Sequence, residues 1–83
     1  NEIITISLNI GKLENLEMLF LNLNQINIIP TEIGNLLKLN ELNIGCNKIS
    51  EIPTEIGNLT NLNALYLDNN KIYKLENDVF ENQ

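Results

Sequence analysis

Several residue types are missing from the chain or nearly so. Its 83 residues include no histidine, no arginine and no tryptophan, and Cys46 is the only cysteine. Without histidine the commonest general base is missing, so we expect no catalytic residue and no enzyme. A single thiol cannot form a disulfide within the chain, and an unpaired thiol is typical of a reducing compartment. This favours a cytoplasmic location.

Basic residues and long apolar runs are also scarce. Eleven acidic residues against five basic ones give a formal charge of −6, which argues against binding to a phosphate backbone. The longest apolar stretches fall far short of the roughly 20 residues that cross a bilayer, so we expect no membrane insertion. No glycine-rich phosphate loop and no cluster of metal-ligating residue types stands in the sequence. We therefore expect no cofactor and no metal.

A 23-residue repeat runs through the whole chain instead. Asparagine recurs at positions 1, 24, 47 and 70, and the same shift brings leucine, isoleucine, glycine and proline positions into register. So many columns in register indicate a solenoid of stacked repeats. The aligned apolar columns include Leu16, Leu39 and Leu62, then Leu19, Leu42 and Leu65, then Leu21, Ile44 and Leu67.

Each repeat combines a strand with a short turn. The segment L-x-x-L-x-L alternates as a strand does, and strands joined by crossovers of this length run parallel. The crossovers carry I-P-T-E-I-G-N-L at residues 29–36 and 52–59. Proline stops the extended run, and we expect Thr31 and Thr54 to cap a short helical turn that Gly34 and Gly57 end or bend.

These pieces predict an α/β solenoid that curves. Parallel strands stack about 4.8 Å apart, and the turns opposite them need more room, so the strands lie on the concave face and the helical or 3-10 turns on the convex face. The repeated asparagines, Asn24, Asn47 and Asn70, are interpreted as a structural ladder. A buried asparagine can donate to and accept from backbone groups that a tight turn leaves unpaired.

The pattern L-x-x-L-x-L-x-x-N-x-I resembles the leucine-rich repeat. The resemblance divides residues 1–83 into a partial repeat (1–15), two full repeats (16–38 and 39–61) and a near-complete one (62–83), as in a fragment of a longer array. The crossover phrase is similar to that of the 23-residue class found in Ras-binding and Ras-suppressor-like intracellular scaffolds. The last crossover, residues 75–80, looks more like extracellular receptors.

The resemblance implies a protein-interaction scaffold that works through its concave strand face. Its partner would be another protein, such as a small GTPase, a phosphatase or a kinase. The alternatives are a recruitment or regulatory segment of a larger signalling enzyme, such as a kinase, and a segment of an extracellular ligand-binding receptor. The predicted partner-binding residues are Met18, Phe20, Asn22, Glu41, Asn43, Gly45, Ala64, Tyr66 and Asp68, with Leu23, Cys46 and Asn69 in a further exposed column.

Three other features carry open interpretations. Cys46 fits a small, partly buried thiol better than a reactive one, because no second cysteine or histidine is present. Asn58 begins a glycosylation acceptor tripeptide, yet it shares a column with Asn35, which favours a repeat-consensus residue. No polar terminal caps are visible, so exposed edge strands predict end-to-end self-association.

Overall fold

The protein is described by a computed structural model that covers residues 2–72. In this part of the chain, three five-residue 3-10 helices alternate with three three-residue strands. The elements are η1 (Leu8–Lys12), β1 (Met18–Phe20), η2 (Thr31–Asn35), β2 (Glu41–Asn43), η3 (Thr54–Asn58) and β3 (Ala64–Tyr66). Predictions for Asn1 and for the second half of the last repeat, residues 73–83 with the crossover at 75–80, lie outside the described residues.

The three strands form one parallel sheet in the order β1-β2-β3. Met18 pairs with Glu41 and Glu41 with Ala64, so each strand pairs with the residue 23 positions further along. The register equals the sequence period. The predicted parallel sheet with one strand in every repeat is therefore confirmed, and each column of the alignment becomes a line across the sheet.

Proline precedes two of the three 3-10 helices, and the predicted threonine caps are wrong. Pro30 occupies the position before η2, with φ −69° and ψ 149°, and Thr31 is already the first helical residue. The Thr31 hydroxyl lies 3.4 Å from Oε1 of Glu32 instead of capping a backbone N–H. The fixed φ of proline prepares the turn without a side-chain cap. In η1, where Ser7 stands in the proline column, its hydroxyl accepts from the backbone N–H of Asn9 at 3.1 Å.

The regular spacing of the glycines also has a different cause from the predicted one. Gly34 is the fourth of the five residues of η2 and has no positive φ, so it neither ends nor bends the helix. A Cβ at this position would lie 2.8 Å from both Cβ and the carbonyl oxygen of Glu55 in the next repeat. Gly34 therefore lets η2 and η3 approach closely, a requirement that arises between repeats and not within one.

The core is a stack of apolar layers between the sheet and the 3-10 helices. The inward-facing leucine and isoleucine side chains from Ile26 to Leu62 are almost completely buried. The equivalent side chains on either side of them are only partly buried, namely Leu16, Leu19 and Leu21 before them and Leu65, Leu67 and Ile72 after them. Each layer covers the next, as expected for a solenoid whose repeats cannot bury their apolar side chains alone. The buried set is Ile26, Ile29, Ile33, Leu36, Leu39, Leu42, Ile44, Ile49, Ile52, Ile56, Leu59 and Leu62.

Candidate partner-binding face

A ladder of asparagines fixes the loops that follow the strands. Asn47, only 7% exposed, accepts at Oδ1 from the backbone N–H of Ile26 in the preceding repeat, at 3.0 Å. Its Nδ2 donates to the carbonyl oxygens of Leu21, Ile44 and Gly45, each at 3.0 Å. One amide therefore satisfies backbone groups in two successive turns.

The neighbouring rungs repeat these contacts. Asn70 accepts from Ile49 N–H at 3.0 Å and donates to the Ile44 carbonyl of the repeat before it. Asn24 accepts from Ile3 N–H at 3.1 Å, but its Nδ2 donates only within its own turn, to Leu21 and to Asn22. The rungs link successive repeats and hold the loop beside the strand face in one conformation.

Most of the predicted partner-binding side chains line up on one face. Phe20 pairs with Asn43 and Asn43 with Tyr66, so the two aromatic residues share a column two strands apart. Two spacings of parallel strands correspond to roughly 10 Å. Phe20 is 55% exposed and Tyr66 44%. In the adjacent column Met18 is also exposed, while Glu41 and Ala64 are half-buried.

Gly45 departs from the prediction that it is exposed. It is buried, because a Cβ there would meet Oδ1 of Asp68 at 2.9 Å and Oδ1 of Asn43 at 3.3 Å. The Asn43 side chain also accepts from Gly45 N–H at 3.0 Å. Gly45 therefore forms the floor of the face, Asp68 lies over it, and half-buried Asn22 precedes it in the same column.

The column before the ladder has an unusual backbone that the sequence did not reveal. Leu23, Cys46 and Asn69 have φ values of 61°, 55° and 57°, and they are the non-glycine residues with positive φ among those described. Asparagine tolerates this left-handed region, whereas leucine is rarely found there. Asn69 was therefore the single sequence signal for the conformation. Cys46 is half-buried, as expected, and its sulfur accepts from Nδ2 of Asn69 at 3.5 Å.

The charges on this face are acidic. Glu41 and Asp68 belong to the second and third repeats of the sheet, while no lysine falls in any of the strand-face columns. The lysines of the described residues lie elsewhere, in η1, in the turn before β2 and just after the ladder asparagines. The face therefore carries exposed apolar side chains at β1 and carboxylates at β2 and just after β3.

The described residues contain no candidate metal-binding cluster and no candidate membrane-spanning helix. Among residues 2–72, no group of three or more histidine, cysteine, aspartate or glutamate residues could hold a metal ion. Over the same range, no helix has the length and apolar character that a membrane span requires. What the arrangement offers is a rigid, shallow surface with exposed apolar side chains and acid groups.

Comparisons with protein families agree with this architecture. Residues 37–82 match a family model described as leucine rich repeat, and residues 15–36 match a second model with the same description. No curated protein sequence matches the chain.

Solved structures extend the comparison to three dimensions. A leucine-rich repeat protein of Leptospira interrogans is 37% identical over 95% of the chain, with a TM-score of 0.92. The plant peptide hormone receptor RGFR1, solved in complex with RGF2, is 44% identical over 86% of the chain, with a TM-score of 0.75. Internalin C2 of Listeria monocytogenes is 37% identical over 84% of the chain, with a TM-score of 0.74.

The chain corresponds to a small part of each of these proteins. It covers 20% of the Leptospira protein, 11% of the plant receptor and 30% of the internalin. The parallel strands, the 3-10 crossovers and the asparagine ladder recur at the 23-residue period throughout the described residues. Together with the family models that match residues 15–82, these features show that the chain forms a curved solenoid and belongs to the leucine-rich repeat family.

Proposed function

We propose that this segment binds a partner protein through its concave strand face and carries out no catalysis itself. The observation that carries the proposal is the column that places Phe20 and Tyr66, both aromatic and both exposed, on one sheet face. Aromatic side chains are enriched among residues that dominate binding energy. A leucine-rich repeat is typically an interaction module, and the plant receptor RGFR1 was solved in complex with RGF2.

The stiffness of the face supports the same function. The strand-face backbone is held by hydrogen bonds between repeats, among them Leu21 N–H to the Asn43 carbonyl at 2.8 Å and Ile44 N–H to the Tyr66 carbonyl at 3.1 Å. A partner that binds a preorganised surface loses less free energy in ordering it. Small GTPases, phosphatases and kinases remain the partner classes that the family resemblance suggests.

The direct test uses a random twelve-residue peptide display library selected on the immobilised 83-residue chain. An enriched peptide, labelled with fluorescein, is titrated with the wild-type chain and with the double variant Phe20→Ala/Tyr66→Ala. We expect the double variant to bind at least about tenfold more weakly, because both side chains are candidate hot spots. The circular dichroism spectrum should not change, because neither side chain belongs to the buried core.

A matched control separates loss of the face from loss of apolar surface in general. Ile28 is 69% exposed and follows the ladder residue Asn24 in the crossover, away from the strand face. The variant Ile28→Ala should bind the same peptide as tightly as the wild type. Unchanged affinity of the Phe20→Ala/Tyr66→Ala variant would exclude the concave face as the binding surface.

A second candidate function is that of an extracellular receptor segment, and the likeness to RGFR1 favours it. Against it stands the unpaired thiol of Cys46, which suits a reducing compartment and a cytoplasmic scaffold. The flanking gene sequence distinguishes the two. A signal peptide with paired cysteines next to the repeats would support the receptor, and an adjoining catalytic domain would support a regulatory segment of an enzyme.

A further inference from the structure

Leu23 combines an unfavourable backbone conformation with an exposed apolar side chain. Its φ of 61° lies in the left-handed region, where the Cβ atom comes too close to the backbone and where leucine is rarely found. The same conformation occurs at Cys46 and Asn69, so the repeat imposes it on the whole column. Leu23 N–H donates to the Gly45 carbonyl at 3.1 Å, a bond that ties this backbone to the next repeat.

The side chain of Leu23 gains little from burial in return. The Leu23 side chain is 58% exposed. Asparagine, the residue at position 69 of the same column, is polar and tolerates a positive φ, so its side chain suits both the solvent and this backbone conformation. Met18 and Phe20 of the same repeat are 53% and 55% exposed. The three residues, which we term the apolar anchor, concentrate exposed apolar surface on the first repeat of the face.

The carboxylates lie at defined distances from the apolar anchor. Glu41 pairs with Met18 and is therefore about one strand spacing of 4.8 Å away. Asp68 lies two repeats beyond the first, about twice that distance across the strands, in a column four residues further along the strand than that of Met18 and Glu41. In an extended peptide, every second residue returns to the same side after roughly 7 Å. A residue two positions from an apolar one would thus fall between the layers of the two carboxylates.

We propose that the apolar anchor binds an extended partner segment in which a large apolar residue is followed, two positions along, by lysine or arginine. The segment crosses the strands, with its apolar side chain on Leu23, Met18 and Phe20 and its cation between Glu41 and Asp68. Leucine at position 23 thus contributes to binding at a position where it does not contribute to folding. This inference rests on the proposed function and names the chemistry of the partner.

The test measures stability and binding in the same variant. In Leu23→Asn, the residue of the same column in the third repeat replaces the leucine, so the backbone conformation is retained. We expect the melting temperature to stay level or rise by up to about 4 °C. We expect the affinity for a fluorescein-labelled peptide, selected from the random library on the wild-type chain, to fall by about tenfold.

The matched control is Leu37→Asn. Leu37 is 56% exposed, nearly as much as Leu23, but it lies in the turn between η2 and β2, outside the strand face. The control variant should bind the peptide as the wild type does. The enriched peptides should also carry lysine or arginine two positions from a large apolar residue, and replacing that cation by glutamate should abolish binding.

The remaining outcomes separate this inference from the proposed function. If Phe20→Ala weakens binding while Leu23→Asn leaves it unchanged, or if the enriched peptides are neutral or acidic, the inference is wrong and the proposed function stands. A lower melting temperature for Leu23→Asn would assign the leucine to folding and overturn the inference. If the wild-type chain enriches no peptide that the Phe20→Ala/Tyr66→Ala variant fails to enrich, both are overturned.

Discussion

Leu19 and Leu42 occupy the same column of neighbouring repeats, yet Leu42 is completely buried and Leu19 only in part. Leu13 and Leu36 differ in the same way, at 49% and 0% exposed. The residue types are identical, so the difference comes from the layers on either side. The second repeat has a layer above and below it, whereas the first is covered on one side within the described residues. Stability in this fold therefore depends on neighbours more than on composition.

The largest expected effect compares the two leucines of that column. Leu42→Ala removes a side chain with no exposure and leaves a cavity between two layers, so we expect a loss of about 3 kcal/mol in the free energy of unfolding. Leu19→Ala removes the same atoms from a half-buried site and should cost about 1 kcal/mol. Urea denaturation of both variants measures the two losses. Equal losses would contradict the expectation that the more deeply buried leucine stabilises the fold more.

The ladder gives the next largest contrast. Asn47→Ala leaves the buried N–H of Ile26 without a partner and removes one of the two donors from each of the Leu21, Ile44 and Gly45 carbonyls, so we expect a loss of about 2 kcal/mol. Asn24 makes no bond to a carbonyl of a preceding repeat, and the N–H that it serves belongs to the exposed Ile3. Asn24→Ala should cost about 1 kcal/mol. Chemical denaturation of both variants tests this order of stability losses. A larger loss for Asn24→Ala than for Asn47→Ala would contradict the expectation.

The close approach of successive 3-10 helices predicts a smaller difference. An alanine Cβ at Gly34 would lie 2.8 Å from the Glu55 carbonyl oxygen, and one at Gly11 would lie 3.0 Å from that of Glu32. We expect Gly34→Ala to lower the free energy of unfolding by about 2 kcal/mol and Gly11→Ala by about 1 kcal/mol. Thermal unfolding is suitable for this comparison, and a stabilised Gly34→Ala variant would refute the close-packing account of this glycine.

The smallest expected effect concerns association through the incompletely covered first layer. Leu8 and Leu13 are 63% and 49% exposed, and β1 pairs on one side only within the described sheet. We propose that the 83-residue chain associates weakly end to end, because such an edge can template further pairing. Light scattering should show an average molar mass that rises with protein concentration. The variant Leu13→Lys should make this rise smaller.

A surface control sharpens that measurement. Leu37 has a similar exposure of 56% but belongs to the turn that follows η2, one repeat beyond the first layer. Leu37→Lys should leave the association unchanged. A constant monomer mass at all concentrations would rule out association through this layer.

The sequence was sufficient for features that recur once in every repeat. The column of Asn24, Asn47 and Asn70 predicted the ladder, and the alternation around Leu42 predicted the parallel strand. The columns also predicted which side chains share a face. Each of these follows from residue type and period alone, because a fixed shift places equivalent residues above one another.

Features that depend on the distance between layers could not be predicted in this way. The role of Gly34 follows from the approach of Glu55, and the burial of Gly45 from the positions of Asn43 and Asp68. The positive φ of Leu23 follows from a loop that the ladder holds, in spite of the residue type.

Native-state hydrogen exchange in Asn47→Ala tests the central claim, that each ladder asparagine stabilises the repeat before it. The N–H of Ile26 donates to Asn47, whereas the N–H of Ile49 donates to Asn70 and keeps its partner in the variant. NMR should show exchange at Ile26 accelerated at least about tenfold more than exchange at Ile49. Equal acceleration at both amides, or unchanged protection of Ile26, would contradict a ladder that acts between neighbouring repeats.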